Sequence, residues 1–322
     1  MSAMRTELED SARKVFPDWE AVRDGDAAWA QVAELGWFMA GVPEDMGGLG
    51  LERADLAVIF TQLGRALVPG AMLAQFLSVE ALVGSDPFDG RDDMLESAMA
   101  GELLTASLAI GADGALAVPD ADKAGHMLLR GADEVALVSL DGASLEAFET
   151  WDKTRRLFNV RPASGAARIV LATGDRAAAL TARIDALLAL ALAGDALGGA
   201  GAVLTMAVDY LGTRRQFDRP LAMFQALKHR AADMKAAIET ATALYDARCD
   251  AGLLATGAMK AHCAEVYKQV AEEAVQFHGG IGLTVEYPVH LFLKRAFLNR
   301  ELGGNAAYWN EKAGRSLLAE PA

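Results

Sequence analysis

Two strings in the C-terminal half carry residues that could do chemistry. The first is Arg214-Arg215-Gln216-Phe217-Asp218-Arg219-Pro220, followed by Phe224-Gln225-Ala226-Leu227-Lys228-His229 and Ala232-Asp233-Met234. Guanidinium groups bind phosphate oxygens in a forked geometry, so three arginines around a helix junction suit an anion. The same arginines would also serve as caps on a helix C-terminus that pair with surface carboxylates. The second string is Gln276-Phe277-His278-Gly279-Gly280-Ile281-Gly282-Leu283-Thr284, then Glu286-Tyr287-Pro288-Val289. Its glycines let backbone N–H groups approach and point at a phosphate, although glycines also simply end helices. The histidines (His126, His229, His262, His278 and His290) show no metal-ligand spacing and read as caps or surface polar groups. No metal site is expected. A nucleophile elbow, a Walker loop and a dinucleotide glycine fingerprint are all missing, and Met223 and Met234 read as core.

The elements that must position these strings follow from periodicity. Apolar residues return at helical spacing over 4–15, 26–35, 51–67 and 70–82, with a tight Pro/Gly connection at 42–50. Beyond residue 100, short apolar runs at 103–110, 115–118, 126–129, 134–139, 157–160 and 168–172 lie between Gly, Asp and Pro and read as strands. From 175 the pattern is helical again, in four alanine-rich segments at 175–212, 220–251, 256–277 and 289–318 that read as an antiparallel bundle. The order is α, β, α, in three domains: 1–100, 101–174 and 175–322.

Composition narrows the function classes. The net charge of −14 over 322 residues argues against nucleic acid, whose phosphates attract basic surfaces. Hydrophobic residues make up 52%, enough for a sizeable core. Cys249 and Cys263 form neither a disulfide framework nor a zinc site, which fits a reducing compartment. The charged start lacks the apolar core of a signal peptide. The apolar run at 186–192, bracketed by Asp185 and Asp195, is shorter than the ~20 residues a spanning helix needs. A cytoplasmic protein without membrane insertion is the expectation.

Taken together, the two strings resemble the acyl-CoA dehydrogenase family. Leu35-Gly36-Trp37, Val42-Pro43-Glu44, Gly47-Gly48-Leu49-Gly50 and Leu63-Gly64-Arg65-Ala66-Leu67 are similar to that family as well, in the right order along the chain. The resemblance implies an α+β fold with an N-terminal helical domain, a reduced middle β domain and a C-terminal four-helix bundle. It also implies FAD as cofactor, an acyl-CoA substrate oxidised to its 2-enoyl-CoA, and an electron-transfer flavoprotein as electron acceptor. In such enzymes the two strings reach across a subunit interface to a neighbour's FAD. Carried over, Arg214 meets the pyrophosphate or adenosine part, flanked by Gln216 and Phe217. Gln276, Gly279 and Gly280 approach the pyrophosphate, and Gln225 and Leu227 lie on the adenine side.

The resemblance breaks at the catalytic base. Counted from Glu286, the family's usual glutamate falls on Gly303, and the alternative position falls on Leu188. Glu301, two residues away, is the fallback. The middle region lacks the family's flavin-covering Thr-Glu-Pro loop and Trp-rich strand, whereas Trp151-Asp152-Lys153-Thr154-Arg155-Arg156-Leu157 resembles short family members. A chain with FAD-reaching strings but no base resembles the partner subunit of a heteromeric α2β2 dehydrogenase of the kind that shortens steroid side chains. A self-sufficient homo-oligomer using Glu301, and a non-catalytic scaffold binding acyl-CoA or a protein, are the alternatives.

Overall fold

The computed structural model describes residues 3–110 and 116–319. Helices α1 (Ala3–Val15), α2 (Trp19–Val22), α3 (Gly25–Glu34), α4 (Arg53–Arg65), α5 (Met72–Val83) and α6 (Arg91–Met99) come first. Strands follow: β1 (Leu104–Ala106), β2 (Val118–Pro119), β3 (His126–Arg130), β4 (Glu134–Ser139), β5 (Ser144–Phe148), β6 (Leu157–Arg161) and β7 (Arg168–Thr173). Then come α7 (Gly174–Thr213), a hairpin of β8 (Arg215–Gln216) and β9 (Arg219–Pro220), α8 (Gln225–Arg248), α9 (Leu253–His278), α10 (Val289–Glu301) and α11 (Ala306–Ala319).

The four long expected helices and most expected strands are present, with instructive differences. The short helices α2 and α6 were not anticipated. Asp18 caps the first of them by accepting the Ala21 N–H, at 3.2 Å. Nor was β5, whose residues are mostly exposed and therefore show no apolar run. Residue 115, part of an expected strand, lies outside the described residues. The segment at 220–251 begins with a hairpin and a short 3-10 turn (Leu221–Met223) before α8 starts at Gln225. The expected helix at 289–318 is broken into α10 and α11, so the bundle gains a fifth helix. Gly303 and Gly304 there have φ of +63° and +81°, where a helix cannot continue. α11 then docks through buried Trp309, whose Nε1 donates to the Gly303 carbonyl at 3.0 Å.

The strands form a four-stranded sheet in the order β1-β3-β4-β7 and a three-stranded sheet in the order β2-β6-β5. Alternation divides their residues. Met127 joins Val118, Phe158 and Val160 in a small core between the sheets, whereas its neighbour Leu128 joins the main core. That main core runs unbroken through the N-terminal helices, one face of the larger sheet and the C-terminal helices. α7 is its axis, and the most apolar window of this helix is 89% buried within the protein. α4 lies directly on it: a Cβ at Gly198 would stand 1.9 Å from the Thr61 carbonyl oxygen, so only glycine permits the approach.

A wholly buried polar network fastens the layers. Arg295 on α10 donates from Nε to Asp152 (2.8 Å), which precedes β6, and from Nη1 to Asp195 on α7 (2.8 Å). Its Nη2 reaches the Val68 carbonyl after α4, at 3.3 Å. Asp195 also accepts from Arg155 (2.9 Å) and Asn299 (2.8 Å), and Asp152 accepts from the Thr154 N–H at 2.9 Å. Burial alone would raise the Asp195 pKa, but Arg155, Arg295 and Asn299 more than reverse this and hold it below the ordinary aspartate range.

Replacing Arg295 by leucine removes the cation shared by two buried carboxylates, so urea unfolding should show a loss of about 3–5 kcal/mol. The depressed value of Asp195 also gives a sign. Its contribution is complete above the unfolded pKa and is lost as pH falls through the folded one. Stability measured against pH should therefore drop on acidification below about pH 4, and by less in Arg295→Leu.

Candidate functional site

The first string folds as the β8–β9 hairpin at the end of α7. Its two-residue turn, Phe217-Asp218, has φ of 51° and 60°. Such a turn needs both central residues in the left-handed region, which usually selects Asn and Gly. A phenylalanine held there and 85% exposed is a cost with no gain in burial within the chain. Within the hairpin, Arg215 Nη2 donates to the Asp218 carbonyl at 2.7 Å, Gln216 Nε2 donates to the Arg215 carbonyl at 2.9 Å, and the Arg219 guanidinium lies 4.0 Å from the centre of the Phe224 ring. Among the described residues Arg214 is held through its backbone, donating to the Tyr210 carbonyl and accepting from the Leu221 N–H, both at 2.8 Å. None of the three arginines pairs with a carboxylate among the described residues, so the ion-paired capping role allowed above is not the one they play.

The second string ends α9. His278 is its last residue, and Gly279 (φ +66°) turns the chain into a short 3-10 segment, Gly279–Leu283. Gln276, Gly279 and Gly280 are exposed, and a Cβ at either glycine would meet nothing within 4 Å. The backbone there is open to solvent. Gln225 is exposed and Leu227 half-buried at the start of α8. Exposed Leu283 (65%), Val285 (95%) and Met223 (55%) belong to the same end of the molecule. Met223 is thus a surface residue rather than the core residue expected, while Met234 is core.

An aromatic cluster that sequence reasoning missed joins the two strings. The Tyr210 ring, on the last turn of α7, stacks on His278 with centroids 4.4 Å apart and planes at 22°, and Tyr287 stands edge-on to both. His278 is only 4% exposed, which corrects its reading as a cap or surface group. Its Nδ1–H donates to the Ala274 carbonyl at 2.7 Å, leaving a buried Nε2 with no hydrogen-bond partner among the described residues. Burial pushes its pKa down, against that hydrogen bond. The only sequence signal was its place beside the glycines.

At the place where a base would be counted, the structure is apolar. A Cβ on Gly303 would lie 2.5 Å from Leu192 Cδ1 and 3.7 Å from Leu188 Cγ, so positions 303 and 188 converge on one packed spot. Leu188 is fully buried, and the Gly303 N–H donates to the Leu108 carbonyl at 2.8 Å. Glu301 has its side chain 60% exposed and accepts from Asn305 Nδ2 at 3.0 Å across the α10–α11 turn. Beneath that turn Lys260 donates to the carbonyls of Arg300, Leu302 and Gly304. Burial, against Glu301 and Glu265, lowers its pKa to about 7. A cleft of about 440 Å³ lies elsewhere, between Trp29, Pro69, Asp120, Lys123 and Arg156. Its charged groups largely pair with one another. No cluster of three or more His, Cys, Asp or Glu among the described residues could hold a metal.

An N-terminal helical layer, a small β layer and a C-terminal bundle around a buried α7 define the acyl-CoA dehydrogenase fold. The N-terminal domain of that family matches residues 2–86 and its C-terminal domain residues 186–318. Acyl-CoA dehydrogenase IpdE2 of Mycolicibacterium smegmatis is 33% identical over 82% of this chain and 78% of its own. Among solved structures, the Tcur3481-Tcur3483 steroid ACAD G363A variant superposes with a TM-score of 0.85 at 25% identity, covering 98% of this chain and 97% of the other. The ChsE4-ChsE5 complex from Mycobacterium tuberculosis gives 0.82 at 22% identity, covering 100% and 99%. The chain belongs to the acyl-CoA dehydrogenase family.

Gly303→Ala tests how tightly the apolar spot is packed. The new methyl meets Leu192 in a backbone conformation alanine disfavours, so thermal or urea unfolding should report a loss of about 1–3 kcal/mol.

Proposed function

We propose that this chain is one subunit of an FAD-dependent acyl-CoA dehydrogenase and that a second chain of the same fold supplies the catalytic base. The observation that carries the reading is a contrast within one molecule. The segments that would reach a neighbour's FAD are preformed and exposed, while both base positions are occupied by packed leucine and glycine. Arg214 would bind the pyrophosphate or adenosine phosphate as a charge-assisted fork. Gln216, Phe217, Gln225 and Leu227 would flank it, and Gln276 with the Gly279-Gly280 backbone would close a cradle. The orphaned His278 Nε2 and the open glycine backbone fit a ligand at this end.

Such an enzyme removes the α-proton and β-hydride of an acyl-CoA thioester to give a 2-enoyl-CoA. Bound FAD supplies the hydride acceptor, and an electron-transfer flavoprotein takes the electrons onward. The α-proton would go to the partner's base, because nothing ionisable stands at Leu188 or Gly303. Likeness to a steroid ACAD supports a bulky, steroid-derived acyl group as substrate class. A cytoplasmic location belongs to the same reading.

Two measurements test it on the assembly co-expressed with a second acyl-CoA dehydrogenase subunit. Arg214→Ala should weaken FAD retention at least about tenfold, seen as flavin absorbance per complex after gel filtration. Unchanged flavin content and activity would sink the proposal. Glu301→Gln should leave turnover near wild type. Loss of turnover with flavin retained would instead favour the homo-oligomer with Glu301 as its base.

A further inference from the structure

We infer that His278, stacked on Tyr210, is the positioning residue that sets the flavin-contacting hairpin and the glycine turn at a fixed spacing. This rests on the proposal that these two segments meet FAD, and it adds the means by which a single surface is made from elements far apart in sequence.

The hairpin leaves α7 at Arg214, and the glycine turn leaves α9 at Gly279. Each string projects from a helix end, where chains fray unless something fastens them. Tyr210 is the last-turn residue whose carbonyl accepts the Arg214 N–H. His278 is the residue immediately before Gly279. Their rings therefore join the two exit points directly, in the near-parallel geometry that aromatic pairs favour.

Tyr287 closes the joint. It meets Tyr210 at 5.7 Å and 83° and His278 at 5.4 Å and 61°, tying in the return of the chain to α10. The outer side of the α9 terminus is held separately, by Arg230, which pairs with Glu273 and lies 5.0 Å from the centre of the Phe277 ring. That contact leads to α8.

The imidazole is suited to the role in a way a plain ring is not. Its Nδ1–H bond to Ala274, one turn back on α9, sets its rotamer, so the plane offered to Tyr210 is already fixed. Neighbouring Gly279 and Gly280 are exposed with open space where side chains would be, and the backbone they free is aimed by the buried ring beside them.

The test is FAD affinity of the deflavinated complex, by fluorescence titration, with thermal unfolding of the same apo samples. His278→Ala and Tyr210→Leu should each raise the FAD Kd about three- to tenfold at a temperature well below unfolding. His278→Phe, which keeps a stacking ring, should recover most of the affinity. The double variant should be no weaker than the poorer single one, because both remove the same contact.

Wild-type affinity in both single variants, with only the unfolding temperature lowered, would reduce the stack to a structural role and overturn the inference. Additive losses in the double variant would also overturn it. Should His278→Ala not fold, Tyr210→Leu and His278→Phe carry the test alone. Arg214→Ala separates the two levels. Undiminished affinity there refutes the FAD reading itself, whereas weakened binding there with normal binding in the ring variants refutes only the positioning role.

Discussion

Arg295 is the fastening on which the arrangement of the layers depends. A guanidinium fully removed from water would cost several kcal/mol if left alone. Here it is shared between Asp152 at the end of the β layer and Asp195 on the central helix, with a further bond to the chain leaving α4. With Arg155, the cluster holds two positive and two negative charges, so it is neutral while every member is ionised. Its favourable Coulomb energy exists only when all layers are docked together. An apolar contact of equal area would tolerate sliding, but a forked guanidinium between two carboxylates does not.

That constraint governs the functional end as well. Asn299, one turn beyond Arg295, donates to Asp195 and to the Leu192 carbonyl and so binds α10 to α7 beside Gly303. The glycine break can then pack onto Leu188 and Leu192 without a gap. A carboxylate at either position would have to be desolvated against leucine, a cost the present packing avoids. The apolar residues at these positions and the tight closure of the spot are thus one structural fact seen from two sides. Lys260 completes it by satisfying three carbonyls at the α10 terminus.

Much of this was legible in the sequence, and the illegible parts share a cause. Alanine-rich helices of the bundle and the runs at 126–129 and 134–139 announce themselves through periodicity, which is local. The motif strings were legible as strings, and the structure places them together at one exposed end. By contrast, β5 has no buried face to write an apolar pattern, and α6 is short and largely polar. The break at Gly303-Gly304 looks like a tolerated glycine pair inside a helical run until the left-handed dihedrals are seen. Arg295, Asp195 and Asp152 lie far apart in sequence, and each alone reads as an ordinary surface charge. His278 was likewise unreadable, since nothing local says that Tyr210, dozens of positions earlier, will lie flat against it.

The middle and the C-terminus of α7 therefore embody opposite uses of the same helix. In its middle, small residues admit α4 so closely that Gly198 can carry no side chain, and apolar packing leaves no room for chemistry. At its C-terminus the chain accepts left-handed dihedrals at Phe217 and Asp218 and leaves large apolar side chains in solvent. A lone folded chain gains nothing from these features, because strain and exposed aromatic surface both oppose stability. They become favourable only when another surface covers them. Such a division, a closed interior and a strained, open rim, suits the proposed role of a subunit that completes a neighbour's site.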